Sequence, residues 1–549
     1  MVGYKRILEH QGINVETTPG GIIISSEHLK QLPEAFFNYF IDKYNVAERN
    51  ERFLNFWHYQ WKSGQKQSKN CLNKRLKDIS TKVGKYFKED PTGSAIINNI
   101  NYFREQKTYH ESLDEYLQQI IEGTHHKGIN EKLTSNTFKA VYLAPYFGQP
   151  SFLNVSKNKL TVSEQKVLFY EDYIKPVLDE WKVLELINND KAEEVRELIK
   201  NVNQKHPLGS LNTTFKKKDA AQMKQYILDE VFKCSFTDFP LGFFSLEESV
   251  FSPLALSLKN SLNSTWNSEG KIFFPISALA KVILFCAPAG ATISDSKSIF
   301  VQFDGSFEEI YQANEHYHSE KKQDKPFDEV IFDLVSEQKL RASMIKRQYF
   351  IIEYESDYQA KKTILDSMVL TPGLVELFQN HSKLFGYLHY SIRIPFIKSL
   401  IKQVDTKNQI ATVLIEKIKQ NYDALEVLWM TIIRHYNQFY MMKGENHMDP
   451  KKQQDYIWVL YKSAESISNR MGLKKAQGIG YRLLNAVRAG NKHMFMDTVM
   501  RVYISHEEQM PSLLLEALHE NRMDFETVAN AWIAGLISKP QEGVSANDK

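Results

Sequence analysis

The chain has 549 residues, 42% of them hydrophobic and 12% aromatic, and a formal net charge of +3. That is too long for a single core, apolar enough to fill two to four, and not the composition of a disordered chain. No uncharged apolar run approaches the ~18 residues of a membrane span, since the best stretch, Ile276 to Ala289, is interrupted by Lys281. The three cysteines, Cys71, Cys234 and Cys286, lie far apart, which excludes a disulfide framework and fits a reducing cytoplasm. The start, Met1-Val2-Gly3-Tyr4-Lys5-Arg6, lacks the apolar core of a secretory signal. A cytoplasmic chain with no membrane partner is expected.

In chain order, Gly21 to Ser25 reads as a short strand. Pro33 then opens a predicted helix in which Phe37, Phe40, Ile41 and Tyr44 share one face. Further strand patterns fall at Thr137 to Leu143, Ile272 to Phe274, Ile299 to Phe303 and Tyr349 to Tyr354. Polar loops are predicted near Asn201 to Lys218 and Glu315 to Lys325. Towards the end, Leu483, Leu484 and Val487, then Phe495, Val499 and Val502, then Phe525, Val528 and Trp532 repeat helical spacing between breaks at Gly490 and Pro511. The expected fold is α+β and predominantly helical. An N-terminal α+β body with short strands spans 1–225, a middle α+β region 226–390, an all-α C-terminal bundle 395–540 and a disordered tail 541–549.

Charge is unevenly spread along this order. Lys62, Lys66, Lys69, Lys74, Arg75, Lys77, Lys82, Lys85 and Lys88 stand against the single acid Asp78, a local +8. Between Lys451 and Arg501 ten cations face Asp455, Glu465 and Asp497; an acidic stretch from Glu507 to Glu526 follows. Lys-rich helices are often plain solvated faces, but two such concentrations on a nearly neutral chain are also the electrostatic footprint of a phosphate backbone held at two places. Phe56, Trp57, Tyr59 and Trp61 precede the first cluster, and Tyr86 and Phe87 sit within it. Attraction combined with stacking is how single strands are gripped, although aromatics pack cores more often.

Catalytic signatures are sparse. Gln477-Gly478-Ile479-Gly480 and Pro288-Ala289-Gly290 lack the spacing and the Lys-Ser/Thr of a nucleotide cradle, and no Gly-x-Ser-x-Gly elbow occurs. Glu315, His316, His318 and Glu320, with Asp304, Glu308 and Glu309 nearby, form the richest set of potential metal ligands. A two-metal nuclease on Asp304, Glu308, Glu309 and His316 is therefore one alternative. A basic structural protein that binds an acidic partner is another.

Several phrases carry a family resemblance. They are Leu32-Pro33-Glu34-Ala35-Phe36-Phe37-Asn38-Tyr39-Phe40 with Asp42-Lys43-Tyr44; Phe274-Pro275 through Phe285-Cys286-Ala287-Pro288-Ala289-Gly290, with Ile299-Phe300-Val301 and Ser306-Phe307-Glu308-Glu309-Ile310; and Gly490-Asn491-Lys492 with Phe495-Met496-Asp497, Arg501-Val502-Tyr503 and Ala534-Gly535-Leu536. Together they resemble the large subunit of type I-B CRISPR interference complexes (Cascade), in the subfamily with paired Cys-x-x-Cys motifs. Here Cys234-Ser235-Phe236-Thr237 keeps one sulfur and no second pair exists. One thiolate does not hold zinc, so a degenerate knuckle held by packing, with no metal and no cofactor, is expected. The family usually has residues before Val2-Gly3-Tyr4-Lys5-Arg6-Ile7-Leu8, so the start is read as a truncated gene call.

The resemblance implies a subunit that is not an enzyme. Such subunits hold the crRNA 5′ handle, read the protospacer-adjacent motif on target double-stranded DNA and open the first base pairs to form the R-loop. They work beside backbone, handle-binding and small subunits, and a helicase-nuclease is recruited in trans. Sequence beyond the motif is read by base pairing. Motif reading needs amides or hydroxyls at base edges and cations on flanking phosphates. The candidates are Asn70, Asn73, Lys74, Arg75, Lys77 and Lys82; the turn Gly148-Gln149-Pro150-Ser151 with Gln149, Ser151, Asn154 and Lys157; and, along a strand, Lys474, Lys475, Arg482, Arg488 and Lys492. Finally, Lys443-Gly444-Glu445-Asn446-His447-Met448 is encodable as a ribosome-binding sequence before Met448, so a free small subunit is expected from an internal start at Met448.

Overall fold

The computed structural model of the protein describes all residues except 66, 145, 203–205, 247–274, 295–296, 320–331, 333–348, 358–361, 421–422, 442–449, 521 and 539–549. Helices dominate and strands are few and short, so the fold is α+β and predominantly helical. The chain forms two compact units: residues 1–292 with 306–311 and 354–365, and residues 293–305 with 312–353 and 366–549. The expected strand at Ile272 to Phe274, the Lys443 to Met448 segment and the tail at 541–549 lie outside the described residues.

The first unit opens with α1 (Val2–His10), α2 (Ser26–Lys43), α3 (Val46–Lys62), α4 (Ser68–Phe87), α5 (Pro91–Glu105), α6 (Ser112–His125) and α7 (Lys127–Phe138). It continues with α8 (Val162–Phe169), α9 (Lys175–Asn188), α10 (Ala192–Asn201), α11 (Leu211–Phe215) and α12 (Ala220–Glu230). Pro33 does not open its helix. A capping box of Ser25 and His28 starts α2, and Pro33 lies inside it. The helix runs through the missing donor because Leu29, Leu32, Phe36, Phe37 and Phe40 are buried together on either side. Those phenylalanines meet Phe138, Phe152 and Phe169 in an aromatic core.

A second core joins α3 to α7 through Leu54, Leu72, Leu76, Ile79, Val83, Ile96, Ile100, Phe103, Leu117 and Ile120. A third joins α9 to α12 through Val183, Ile187, Val195, Ile199, Phe215, Met223 and Ile227.

Thr137 to Leu143 is not a strand. It finishes α7 and continues as a π-helical turn, Lys139–Leu143, closed by Ala144 N–H to the Lys139 carbonyl at 2.9 Å. The wider turn brings buried Phe138 and Leu143 into one core and carries Lys139 inward. Its Nζ donates to the Phe152 carbonyl (3.3 Å), Asn158 Oδ1 (2.7 Å) and Gln165 Oε1 (2.9 Å). Burial, and secondarily Lys132, pull its pKa down to about 8. Three acceptors for three ammonium donors is what allows a buried lysine to stay charged. The expected polar loop at 201–218 holds the short helices Pro207–Ser210 and Leu211–Phe215. The first part of the expected loop at 315–325 belongs to the helix Phe307–Ser319.

Among the described residues the strands form three sheets. β1 (Thr17–Thr18) pairs antiparallel with β2 (Gly21–Ile22), and β3 (Phe244–Ser245) with β4 (Pro275–Ile276). β5 (Thr292–Ser294), β6 (Lys297–Phe303), β7 (Tyr349–Asp357) and β8 (Lys362–Leu370) follow one another in a four-stranded sheet. The second unit centres on the helix Phe525–Ile537, which is buried on every side, as an all-round apolar helix must be. It packs against the helices Leu425–Met441, Pro450–Met471 and Leu473–Arg488.

The segment around Cys234, where a degenerate knuckle is expected, is a hydrogen-bonded turn. Cys234 N–H donates to the Phe239 carbonyl (2.7 Å), and Asp238 N–H to the Cys234 carbonyl (3.0 Å). Burial pushes the Cys234 thiol up, but hydrogen bonds from Thr237, Ser277 and the Phe236 amide outweigh it and hold the pKa below its usual value. Hydroxyls and amides, rather than packing alone, surround the sulfur.

Candidate nucleic-acid interface

Helix α4 owes its orientation to Leu72, Leu76, Ile79 and Val83, which are buried at helical spacing against α3 and α5. At 100° per residue the opposite face is fixed: Asn70, Lys74, Lys77, Thr81, Lys85 and Lys88 follow one another three or four residues apart. All six are exposed. Lys74, Lys77, Lys85 and Lys88 have no carboxylate partner among the described residues, and Lys85 lies 5.3 Å over the Tyr86 ring. Four like charges on one face repel one another unless a counter-anion is supplied.

The other predicted residues of this segment divide differently. Lys82 is exposed but paired with Asp78 at 2.9 Å. Arg75 is turned sideways, 5.5 Å over the Phe53 ring and 3.8 Å from Asp78. Asn73 is half-buried, with no hydrogen-bond partner for its Oδ1 among the described residues. Lys62 is held by Asp114 at 2.9 Å, and Lys69 lies 4.8 Å over Trp61. The aromatics also separate: Trp61 is buried against Phe103 and Tyr109, whereas Phe56 and Tyr59 are 55% and 67% exposed on α3. The latter two keep a face open for stacking.

The turn at 148–159 is braced from below by Lys139 and by Lys132 Nζ on the Leu160 carbonyl. Gln149 is exposed and its carbonyl accepts from Asn154 Nδ2 at 3.5 Å. Asn154 caps the 3₁₀ turn that carries exposed Lys157. Ser151 has φ +52° and its hydroxyl donates to Asp172, so its hydroxyl hydrogen is already committed.

In the second unit, Ala476, Gly480, Leu483, Leu484 and Val487 face inward on the helix Leu473–Arg488. The outward ladder is Lys474, Gly478, Tyr481, Asn485 and Arg488, flanked by Lys475 and Arg482, all exposed. Tyr481, 50% exposed, stands between the cations. Tyr481 and Asn485 are not singled out by sequence reasoning, although their spacing from Lys474 and Arg488 is the signal that could have found them. Lys474, Lys475, Arg482 and Arg488 have no carboxylate partner among the described residues. Lys492 does: Glu520 holds it at 2.7 Å, and Glu508 similarly holds Arg470 at 2.6 Å. The acidic C-terminal stretch thus neutralises part of the basic one.

Among the described residues no three His, Cys, Asp or Glu side chains gather to hold a metal, and no helix is long and apolar enough to cross a membrane. Glu309 caps its helix by accepting from Ser306 N–H (2.8 Å) and Oγ (3.2 Å). In comparisons with known proteins, no family model, no curated protein and no solved structure matches this chain.

Proposed function

We propose that this chain is the non-catalytic large subunit of a CRISPR RNA-guided surveillance complex of the type I-B kind. In this reading it lays target DNA along the outer face of α4, helps open the duplex beside the guide RNA, and leaves cleavage to a helicase-nuclease recruited in trans. The observation that carries the reading is the α4 face: four lysines in register with Asn70 and Thr81 and with no carboxylate partner among the described residues. Lysines bind the backbone and set register, while an amide beside them offers paired donor and acceptor for a base edge. The ladder on Leu473–Arg488 supplies cations with an open aromatic between them, which suits a separated strand.

The test is binding of the full chain, alone and assembled with guide RNA and backbone subunits, to labelled duplex across a salt series. Replacing Lys74, Lys77, Lys85 and Lys88 by Gln should flatten the log–log salt slope by about 0.9 for each phosphate that is no longer neutralised. Lys82→Gln should change it little. An unchanged slope in the quadruple variant would remove α4 from the interface. Equal target binding by a complex assembled without this chain would remove the wider assignment.

A further inference from the structure

A cleft of about 520 Å³ opens on the first unit between α11 and α12, lined by Thr213, Thr214, Lys216, Lys217, Lys218 and Gln222. That volume lies in the range of small-ligand sites, and every residue that lines it carries a polar or charged group. Those residues bring two hydroxyls, three ammonium groups and one carboxamide. Lys216 and Lys217 are exposed and Lys218 is half-buried. None of the three has a carboxylate partner among the described residues.

The acid that follows the lysines in sequence already caps a helix. Asp219 accepts from Gln222 N–H at 2.8 Å to cap α12, and Gln222 Oε1 accepts from Asp219 N–H at 3.2 Å. This reciprocal box fixes the Gln222 oxygen and leaves its NH₂ as the donating end.

The loop is built rather than merely basic. Arg196 Nη1 donates to the carbonyls of Phe215 (3.3 Å) and Lys218 (2.8 Å), which pins both ends of the lysine run. Glu193 holds the same guanidinium through Nη2 at 2.6 Å and Nε at 3.2 Å. The Arg196 charge is thereby balanced, whereas none of the three ammonium groups is ion-paired among the described residues. Lys218 Nζ sits 5.6 Å over the Tyr226 ring, which orders that side chain.

We infer that this cleft binds a phosphoryl group carrying more than one negative charge: a terminal phosphate, a diphosphate or a triphosphate. Three ammonium groups outmatch a single phosphodiester charge, and no aromatic is among the lining residues for a base to stack on. The ligand comes either from the end of a nucleic-acid strand or from a free polyphosphate. The inference uses no residue of α4 and stands apart from the function proposed above.

The experiment uses the full chain and its thermal unfolding with inorganic tripolyphosphate, since a ligand that binds only the folded state raises the midpoint. The rise is expected in the parent and in the α4 quadruple Gln variant. It should be lost in Lys216→Gln/Lys217→Gln, with affinity falling about tenfold or more per ammonium group removed. Thr213→Val/Thr214→Val, which leaves every charge in place, should weaken binding less. Unliganded midpoints report folding of each variant. Competition by an oligonucleotide with a 5′-phosphate that exceeds the same strand with a 5′-hydroxyl assigns a strand end as the source. Equal competition assigns a free polyphosphate. A midpoint rise that survives in Lys216→Gln/Lys217→Gln, or no rise in the parent, overturns the site.

Discussion

Gly535 lies directly against the Tyr461 carbonyl: a Cβ on Gly535 would overlap that oxygen and its carbon. The helices Phe525–Ile537 and Pro450–Met471 approach this closely only because position 535 has no side chain. The crossing is then locked by Tyr461 Oη donating to Ser538 Oγ at 2.6 Å. Gly535→Ala should force the pair apart and destabilise the second unit by about 1–3 kcal/mol or more. Gly478 is the matched control, since a Cβ there meets nothing within 4 Å. Gly478→Ala should stabilise its exposed helix by about 0.5–1 kcal/mol. Chemical denaturation of the two variants checks both signs.

Arg434 is buried between two carboxylates. It meets Asp524 at 2.7 Å and grips Asp405 through two nitrogens at 2.6 and 3.0 Å. Burial pushes Asp524 up, but the Arg434 charge and the bonds from Gln438 and Thr527 outweigh it and hold its pKa below the ordinary value. A carboxyl depressed in the folded state stabilises above its unfolded pKa, and that contribution fades as pH falls through the folded one. Asp524→Asn keeps the helix cap and removes the charge. At neutral pH it should cost about 3 kcal/mol, the lower end for a broken buried pair because Asp405 remains. The cost should shrink below pH 4. Urea unfolding at pH 7 and pH 3 measures the difference.

Several phrases that stand out in the sequence prove to be close-packing positions. Val2-Gly3-Tyr4 and Cys286-Ala287-Pro288-Ala289-Gly290 are two sides of one contact, where a Cβ on Gly3 would strike the Cys286 carbonyl and the Gly290 amide. Arg6 then donates to the Ala289 carbonyl. Ala534-Gly535-Leu536 marks the second such crossing. Helical periodicity in the C-terminal third was legible because one apolar stripe per helix is a local signal. Thr137 to Leu143 was not, because a short apolar run reads alike as strand or buried helix, and only tertiary packing of Phe138 and Leu143 decides. The basic segment was visible as a count of charges. Which lysines remain unpaired was not, since Asp114 reaches Lys62 from fifty-two residues away and Glu520 reaches Lys492 across a helix break.

Asp114 is a hub on α6. It takes His58 Nε2 at 2.6 Å, Lys62 Nζ at 2.9 Å and Tyr109 Oη at 3.0 Å. Partial burial pushes its pKa up, but the bonds from His58, Lys62 and Tyr109 prevail and bring it down to about 2. The sign is that of Asp524: stability is present above the ordinary value of 3.8 and lost as pH falls towards about 2. Because the side chain is 44% exposed, solvent and salt screen much of the effect. Asp114→Asn should therefore lower the first unit's urea midpoint modestly at pH 6 in low salt. The deficit should narrow in high salt and again between pH 4 and pH 2. A deficit indifferent to both would mean that Asp114 acts by shape alone.

Glu180 has the opposite sign. It is fully buried on α9; one oxygen accepts from Ala278 N–H at 3.3 Å and the other has no partner among the described residues. Burial raises its pKa well above the ordinary value, the Ala278 bond opposes this, and negative charge on a Cys234 thiolate or on Asp179 adds to the rise. A raised carboxyl leaves the folded state holding a proton that the unfolded chain releases. Stability is then fullest below the ordinary value of 4.5 and declines as pH climbs towards the folded pKa. Glu180→Gln is isosteric, keeps an acceptor for Ala278 and has no charge to desolvate. The variant should match the parent near pH 4 and exceed it at pH 7 to 8. Glu180→Ala should be less stable at every pH because it adds a cavity. Thermal midpoints of the three proteins from pH 4 to pH 8 decide the matter. Parallel curves for parent and Gln variant would show that the carboxyl ionises freely and that a compensating charge stands beside it.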